Sequence, residues 1–301
     1  MKKKILILGA AGMLGLEVIR EFSKKKNVLI YATIRNLNDK KLINKYLQKD
    51  YQDIYWIKFK IEKEYITKLK KIVKNKDFII NCIGTIKPYI NENHALSVEN
   101  AIKINSIFPH KLYAAKDKKS KIYQIATDCV FNGHIGNYKE NESHNADDVY
   151  GKSKSIGEVK GENFFNIRCS IIGKEIKNFK SLLCWFLSQK NKSKVFGFKD
   201  HLWNGVTTTY FAKVISTVIF KKIDIPNLIH ITPEKPVNKY QLLKYFQKKF
   251  NRKDIIINKV NSNYTINRTL GTNYKKLNKM INLKIGYKKT PSINKMIEEM
   301  L

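Results

Sequence analysis

The chain has 301 residues, 43% of them hydrophobic, and a formal charge of +33, which suffices for one large or two modest domains with a proper core. No apolar run approaches the ~20 residues of a membrane span, and glycines punctuate the apolar start ILILGAAGMLG, against a leader peptide; a cytoplasmic protein without a membrane partner is expected. The charge raises the question of nucleic acid, yet only five of 58 basic residues are arginine, the side chain whose planar fork reads base edges. With lysines spread along the whole chain, the expectation is no nucleic-acid partner and a basic surface favouring polyphosphate ligands.

Short apolar runs alternate with helix-like segments. KILILG precedes a helix from Met13, VLIYATI a polar helix over Asn38 to Gln48, and IYWIKF a helix over Tyr65 to Val73. DFIINCIG is followed by a helix over Leu96 to Lys116, KIYQIATDCVF by one over Val149 to Lys160, and then comes FFNIRCSII. Continuous apolar strands separated by helices predict a parallel sheet covered on both faces, an α/β Rossmann-type doubly wound fold. After about residue 173 the rhythm loosens: LLCWFLSQ, TTTYFAKVISTVIFKK, NKYQLLKYFQKKF and INKMIEEML read as helices and NLIHIT as a strand. The division expected is 1–173 for dinucleotide binding and 174–301 for a smaller α+β substrate region, with the chain crossing back near 205–232.

The four cysteines, Cys82, Cys129, Cys169 and Cys184, form no CxxC pair and have no metal-like spacing with histidine. Three lie in apolar strand-like runs, where cysteine behaves as a small hydrophobe. No metal site is predicted.

GAAGMLG places Gly9, Gly12 and Gly15 between the first strand and the first helix. Glycine permits the tight turn and a close pyrophosphate, and the helix start offers free N–H groups. The second strand ends in YATIRN, with Arg35 where a carboxylate would bind the ribose of NAD and no acid before Asp39; a basic residue there favours NADPH over NADH.

At the other end of the chemistry, Thr127 closes the fifth strand, and Tyr150 and Lys154 lie one turn apart on the next predicted helix. A free tyrosine titrates near 10, so the expectation is that the lysine ammonium stabilises the phenolate and lowers that value. Tyr150 would then donate a proton to a carbonyl oxygen that Thr127 also hydrogen-bonds.

The stretches GAAGMLG, INCIG, IKINSIFPHKL, IATDCVFNG, VYGKSKSIGE and NIRCSIIG resemble the extended short-chain dehydrogenase/reductase superfamily, and within it the dTDP-4-dehydrorhamnose reductase family. The likeness runs through residues 4–175 and continues more faintly in WNGVTTTYFAKVI and IHITPEKPVNKYQLL. It implies hydride transfer from NADPH to the 4-keto group of a nucleotide-linked 6-deoxy-4-ketohexose, supplying surface-polysaccharide sugars. Thr127, Tyr150 and Lys154 match the family's catalytic residues. Gly9, Ala11, Gly12, Met13, Leu14 and Gly15 match its phosphate loop, and Cys82, Ile83 and Gly84 the strand end beside the cofactor. Asn105 matches a position that supports the lysine, and Arg168 with Ser170 the segment beyond the nicotinamide. For the substrate the resemblance points to Thr127, Asp128, Val130, Phe131 and Tyr150. His201, Trp203 and Asn204 fall where the family lines its sugar pocket, with packing an equal alternative, and Thr207 and Thr208 either cap a helix or meet ligand. A homodimer is compatible with the family.

Departures bear on the reading. Ala126 stands where the family has serine, and Lys60 and Glu62 follow strand three in place of aspartate. Cys129 after Thr127-Asp128 stands where the related dehydratases carry the glutamate that removes water. The alternatives left open are a nucleotide-sugar epimerase, which would need an acidic ribose ligand, and a non-catalytic NADP-binding regulatory subunit.

Overall fold

The structure, a computed structural model, describes residues 2–48, 53–62 and 65–301. Its first half alternates β1 (Lys3–Leu8), α1 (Met13–Phe22), β2 (Val28–Ile34), α2 (Leu37–Leu47), β3 (Ile54–Lys58), α3 (Tyr65–Val73) and β4 (Phe78–Asn81). One helical run follows: α4 (Ala95–Ile102), a π-helical turn over Lys103–Ile107, and α5 (Phe108–Ala115). Then come β5 (Lys121–Ala126), α6 (Val149–Ile156), β6 (Phe164–Arg168) and β7 (Ile171–Ile172). Apolar residues dominate these strands because both faces of the sheet are covered; the Ile5–Leu8 side chains have no exposed surface.

The second half holds α7 (Leu182–Leu187), β8 (Lys194–Phe198), β9 (His201–Trp203), β10 (Val206–Thr207), α8 (Thr208–Phe220), β11 (Leu228–His230) and β12 (Val237–Asn238). It ends with α9 (Lys239–Lys249), β13 (Ile256–Val260), β14 (Ile266–Asn267), α10 (Lys275–Ile285) and α11 (Ile293–Glu298).

Seven strands form one sheet in the order β11-β6-β5-β4-β1-β2-β3, every neighbouring pair parallel. Strand order reverses between β1 and β4, the switch point beyond whose carboxyl ends folds of this kind bind ligands. One face is covered by a core containing Leu16, Ile19 and Phe22 of α1, Phe211 and Ile215 of α8 and Ile281 of α10. The other is covered by Leu69 and Val73 of α3 with Phe108 and Leu112 of α5. The chain thus returns to the sheet through α8 and β11 after leaving it at β6.

A smaller unit gathers Leu183 and Phe186 of α7, Trp203 of β9, Leu242 and Phe246 of α9, and Ile293 and Ile297 of α11 in its own core. It carries a parallel pair, β8 with β13, and a three-stranded sheet in the order β12-β9-β14. None of these short strands, nor α10, was expected. The strand read as FFNIRCSII is two, β6 ending at Arg168 and β7 pairing instead with β10. The helix expected to reach Lys160 stops at Gly157.

Candidate active site

The dinucleotide end is built by the turn after β1. Gly9 takes φ +80°, a left-handed conformation that glycine adopts without steric cost. Its N–H donates to the Thr33 hydroxyl (2.9 Å), and that of Ala10 to the Thr33 carbonyl (3.0 Å), so β2 holds the turn in place. At Gly15 a Cβ would lie 2.2 Å from the Gly9 carbonyl oxygen, which is why helix and turn touch there. Gly12 caps α1 with no side-chain hydrogen bond and is exposed, Met13 is half-buried, and Ala11 and Leu14 are buried beneath. The first turn of α1 therefore keeps free donors at its positive dipole end, in a cradle without side chains that suits a pyrophosphate.

The turn after β4 borders it. Asn81 is buried; its amide donates to Gln124 (2.8 Å) and its carbonyl oxygen accepts the N–H of Ile83 (3.1 Å). This shapes Cys82, Ile83 and exposed Gly84, and Ile83 lies against Gly9. Asn105, inside the π-helical turn, accepts from the Thr85 N–H (2.9 Å) and donates to the Thr85 carbonyl (2.9 Å) and the Ser153 hydroxyl (3.1 Å). It thus ties this loop to α6 rather than reaching Lys154 itself. A π turn shifts the helical register by one residue, and here it aims Asn105 inward between the two. Arg35 is exposed just past β2. The nearby carboxylate, Asp39, is buried, caps α2 and pairs with Lys177 at 2.6 Å, so it is not free for a ribose.

Thr127 follows β5 directly. Its hydroxyl accepts from the Cys129 N–H (3.2 Å) and donates to Asp128 (3.3 Å). Tyr150 sits in the first turn of α6, where Asp148 accepts the Gly151 N–H (2.7 Å) and pairs with Lys87 (2.8 Å). A Cβ on Gly151 would lie 2.2 Å from the Cys129 carbonyl oxygen. Only glycine lets the helix start approach the turn that carries Thr127 so closely.

Lys154 departs from expectation. Its ammonium donates to the Ile125 carbonyl (2.9 Å) and is not among the largest influences on the phenol. Burial is the largest influence on Tyr150 and raises its pKa, Cys129, Asp128 and Asp148 add to the rise, and Thr127 opposes it. The expected acidification by lysine is therefore corrected: removing the phenolate from water outweighs the protein's own cations. The phenol stays protonated at neutral pH, the form a proton donor needs. Lys154 is itself pushed down to about 8, by burial first, with Glu158 and Cys169 opposing.

Other candidates move. Arg168 has no exposed surface; its guanidinium is bound to Glu158, His144 and His230, so it does not face the cofactor crevice. Val130 and Phe131 are fully buried with Tyr138 and Leu270 and line no substrate surface with their side chains. Trp203 is packed in the small core and donates to the Ser170 hydroxyl (2.8 Å). Asn204 exchanges two hydrogen bonds with the Leu270 backbone (2.7 and 2.9 Å), and His201 stacks on Phe198 and bonds Ser262. These three secure the small unit. Thr207 caps α8 by accepting the Tyr210 N–H (3.2 Å), and Thr208 is buried.

Two unforeseen cations border the site. Lys239 follows β12 and Arg268 follows β14, and both strands pair with β9, so one small sheet delivers the two together. Arg268 donates to the Phe131 carbonyl (2.9 Å). Burial raises the Asp128 carboxyl, and Arg268 and Lys239 pull it back; burial lowers Lys239, and Asp128 opposes it. Arg268 could have been noticed as one of five arginines in a lysine-rich chain, whereas Lys239 is one lysine among many and carries no signal of its own.

A glycine turn at the switch point of a parallel sheet, with a hydroxyl, a phenol and an ammonium on the same edge, places the chain among the NAD(P)-dependent Rossmann-type enzymes of the extended short-chain dehydrogenase/reductase class. It belongs to the family described as RmlD substrate binding domain, whose model matches residues 2–300. The dTDP-4-dehydrorhamnose reductase of Bacillus anthracis str. Ames, in complex with NADP, has a similar structure: TM-score 0.75, 21% identity, covering 100% of this chain and 99% of that one. UDP-glucuronic acid 4-epimerase of Bacillus cereus, with UDP-glucuronic acid and NAD, gives 0.74 at 16% identity, covering 99% and 97%. The dTDP-glucose 4,6-dehydratase of Bacillus anthracis str. Ames, with NAD, gives 0.72 at 16%, covering 99% and 95%. No curated protein sequence matches the chain significantly.

Proposed function

We propose that the chain is an NADPH-dependent reductase of the 4-keto group of a nucleotide-linked 6-deoxy-4-ketohexose. The observation that carries the reading is Tyr150, a phenol kept protonated by burial in a helix start that Gly151 lets pack against the turn carrying Thr127. When bound, NADPH supplies hydride to the carbonyl carbon. Tyr150 gives its proton to the carbonyl oxygen, which Thr127 also hydrogen-bonds, and solvent later replaces that proton. Lys154, still largely charged at neutral pH, favours the transient phenolate.

The free helix start at Gly12 and exposed Arg35, with Asp39 engaged elsewhere, support NADPH over NADH. Lys239 and Arg268 beside Asp128 support an anionic substrate whose diphosphate they hold. Cys129, whose thiol burial pushes up to about 12, stands where a dehydratase needs a carboxylate, which favours ketone reduction over elimination. The similarity to reductases in the same family agrees with this.

The test is a panel of 4-keto sugar nucleotides, with dTDP, UDP or GDP and with hydroxyl or acetamido at C2, followed by NADPH absorbance and product stereochemistry. Stoichiometric NADPH oxidation with at least one member supports the reading. Inactivity throughout, with NADPH still bound, or turnover of a 4-hydroxyl sugar with retained NAD, refutes it.

A further inference from the structure

Between β7 and α7 the chain makes an excursion toward the dinucleotide end that the proposed chemistry does not use. Its base is tied: the Ser181 N–H donates to the Glu175 carboxylate (2.8 Å) and the Ser181 hydroxyl to the Gly173 carbonyl (3.4 Å). There Gly173 lies against the start of α1, since a Cβ on it would sit 2.9 Å from Met13 Cγ. Ile176 packs on the core that includes Ala11 and Leu14. Asn178 and Phe179 then take φ +71° and +52°, a left-handed backbone uncommon for a bulky residue, so the chain turns back directly after Lys177.

Lys177 is thereby carried to the end of β2. Its ammonium donates to Asp39 Oδ1 (2.6 Å), while Asp39 Oδ2 accepts the N–H of Arg35 (3.0 Å), the first residue past that strand. One carboxylate thus joins the lysine to the place where this fold meets the adenosine ribose, with an acid for a free 2′-hydroxyl and a cation for a 2′-phosphate. Asp39 takes one of the three ammonium donors, and the Lys177 side chain keeps 28% of its surface exposed. The same neighbourhood is felt at Tyr89, in the loop after β4: burial raises its phenol, Glu175 adds to the rise, and Asn178 and Arg35 oppose it.

We propose that Lys177 is a specificity-determining residue for the dinucleotide, seating the 2′-phosphate of NADPH together with Arg35 from the opposite segment. This rests on the reading of the chain as an NADPH enzyme. Its bond to Asp39 serves the same end, because it holds the ammonium beside Arg35 and neutralises the one acid at this strand end that would repel a phosphate. A lysine that only pinned the segment to α2 would serve NADPH and NADH alike.

The test is calorimetric titration of the full chain with NADPH and with NADH. Wild type is compared with Lys177→Met, Lys177→Arg and Lys177→Met/Asp39→Asn. The double variant leaves no unpaired buried carboxylate, and its asparagine still accepts the Arg35 N–H. The preference for NADPH, read as the ratio of the two Kd values, is expected to fall about tenfold in Lys177→Met and in the double variant, the worth of one charge-assisted phosphate contact. NADH binding to the double variant should stay within about twofold of wild type, and Lys177→Arg should keep the preference. A wild type that prefers NADPH, with an unchanged ratio in Lys177→Met, overturns this inference alone. So does a ratio restored in the double variant, which would reduce Lys177 to a screen for Asp39. A wild type that binds both dinucleotides equally overturns the NADPH reading and this inference with it.

Discussion

Replacing Lys154 by methionine is expected to stabilise the cofactor-free protein at neutral pH while abolishing turnover. Lys154 keeps 7% of its surface exposed and its pKa is depressed from 10.5 to about 8; at about 1.4 kcal/mol per pH unit, keeping it charged costs about 3 kcal/mol. Methionine fills the same space but leaves the Ile125 carbonyl without its donor, a loss of about 1–2 kcal/mol. The net gain at pH 7 is about 1–2 kcal/mol, or roughly 2–6 °C in Tm for a chain of this size. The sign with pH follows from proton counting. Between pH 8 and 10.5 the unfolded chain binds the proton that the folded chain has released, so the wild type gains stability as pH rises. By pH 9.5 it has recovered about 2 kcal/mol, and the advantage of the variant vanishes. Thermal melts of both proteins at pH 7 and 9.5 measure this. A variant less stable at pH 7, or a difference that does not change with pH, refutes the assignment of Lys154 as a buried ammonium.

Arg35→Asp is expected to weaken NADPH about tenfold and to strengthen NADH, as one phosphate contact is exchanged for a repulsion; fluorescence titration with both dinucleotides measures it. Arg268→Ala and Lys239→Met should each raise KM for the sugar nucleotide about tenfold with little effect on NADPH, and should flatten the salt dependence of kcat/KM. Gly151→Ala forces α6 off the Cys129 carbonyl, 2.2 Å from the new carbon. A displacement of roughly 1 Å at Tyr150 then lowers kcat about 100-fold, with the circular dichroism spectrum unchanged.

What could be read from the chain beforehand divides by physical cause. The sheet strands of the first half announced themselves, since burial on both faces leaves runs such as KILILG and FIIN with no reason for polarity. The glycine turn was equally plain, because its geometry admits few other residues. The small unit was opaque because its strands are two to five residues long and too brief for periodicity to show. Helix α10 hid for another reason: its buried face carries Asn278 and Asn282, which bond the His230 carbonyl and the Tyr210 hydroxyl, while Leu283 faces solvent.

The site divides in the same way. Thr127, Tyr150 and Lys154 stand in a recognisable local pattern, whereas Lys239 and Arg268 enter through pairing of short strands far apart in sequence. The family resemblance alone assigns Arg168 to the segment beyond the nicotinamide. Its partners Glu158, His144 and His230 come from three other segments, and only the folded chain shows that they consume four of its five donors. The direction of the phenol's shift was misjudged because desolvation depends on how deeply the helix start is pressed against the Thr127 turn, and spacing on a helix does not report depth.

The central claim is that Tyr150 supplies the proton while hydride reaches C4 of the sugar. The most direct measurement incubates a 4-keto sugar nucleotide accepted by the wild type with NADPH deuterated at nicotinamide C4, and locates the label in the product by NMR. Deuterium at sugar C4 with the wild type, and a rate reduced by about 100-fold or more in a Tyr150→Phe variant that still binds NADPH, is the predicted result. Label that stays on the dinucleotide, or a Tyr150→Phe variant as fast as wild type, contradicts it.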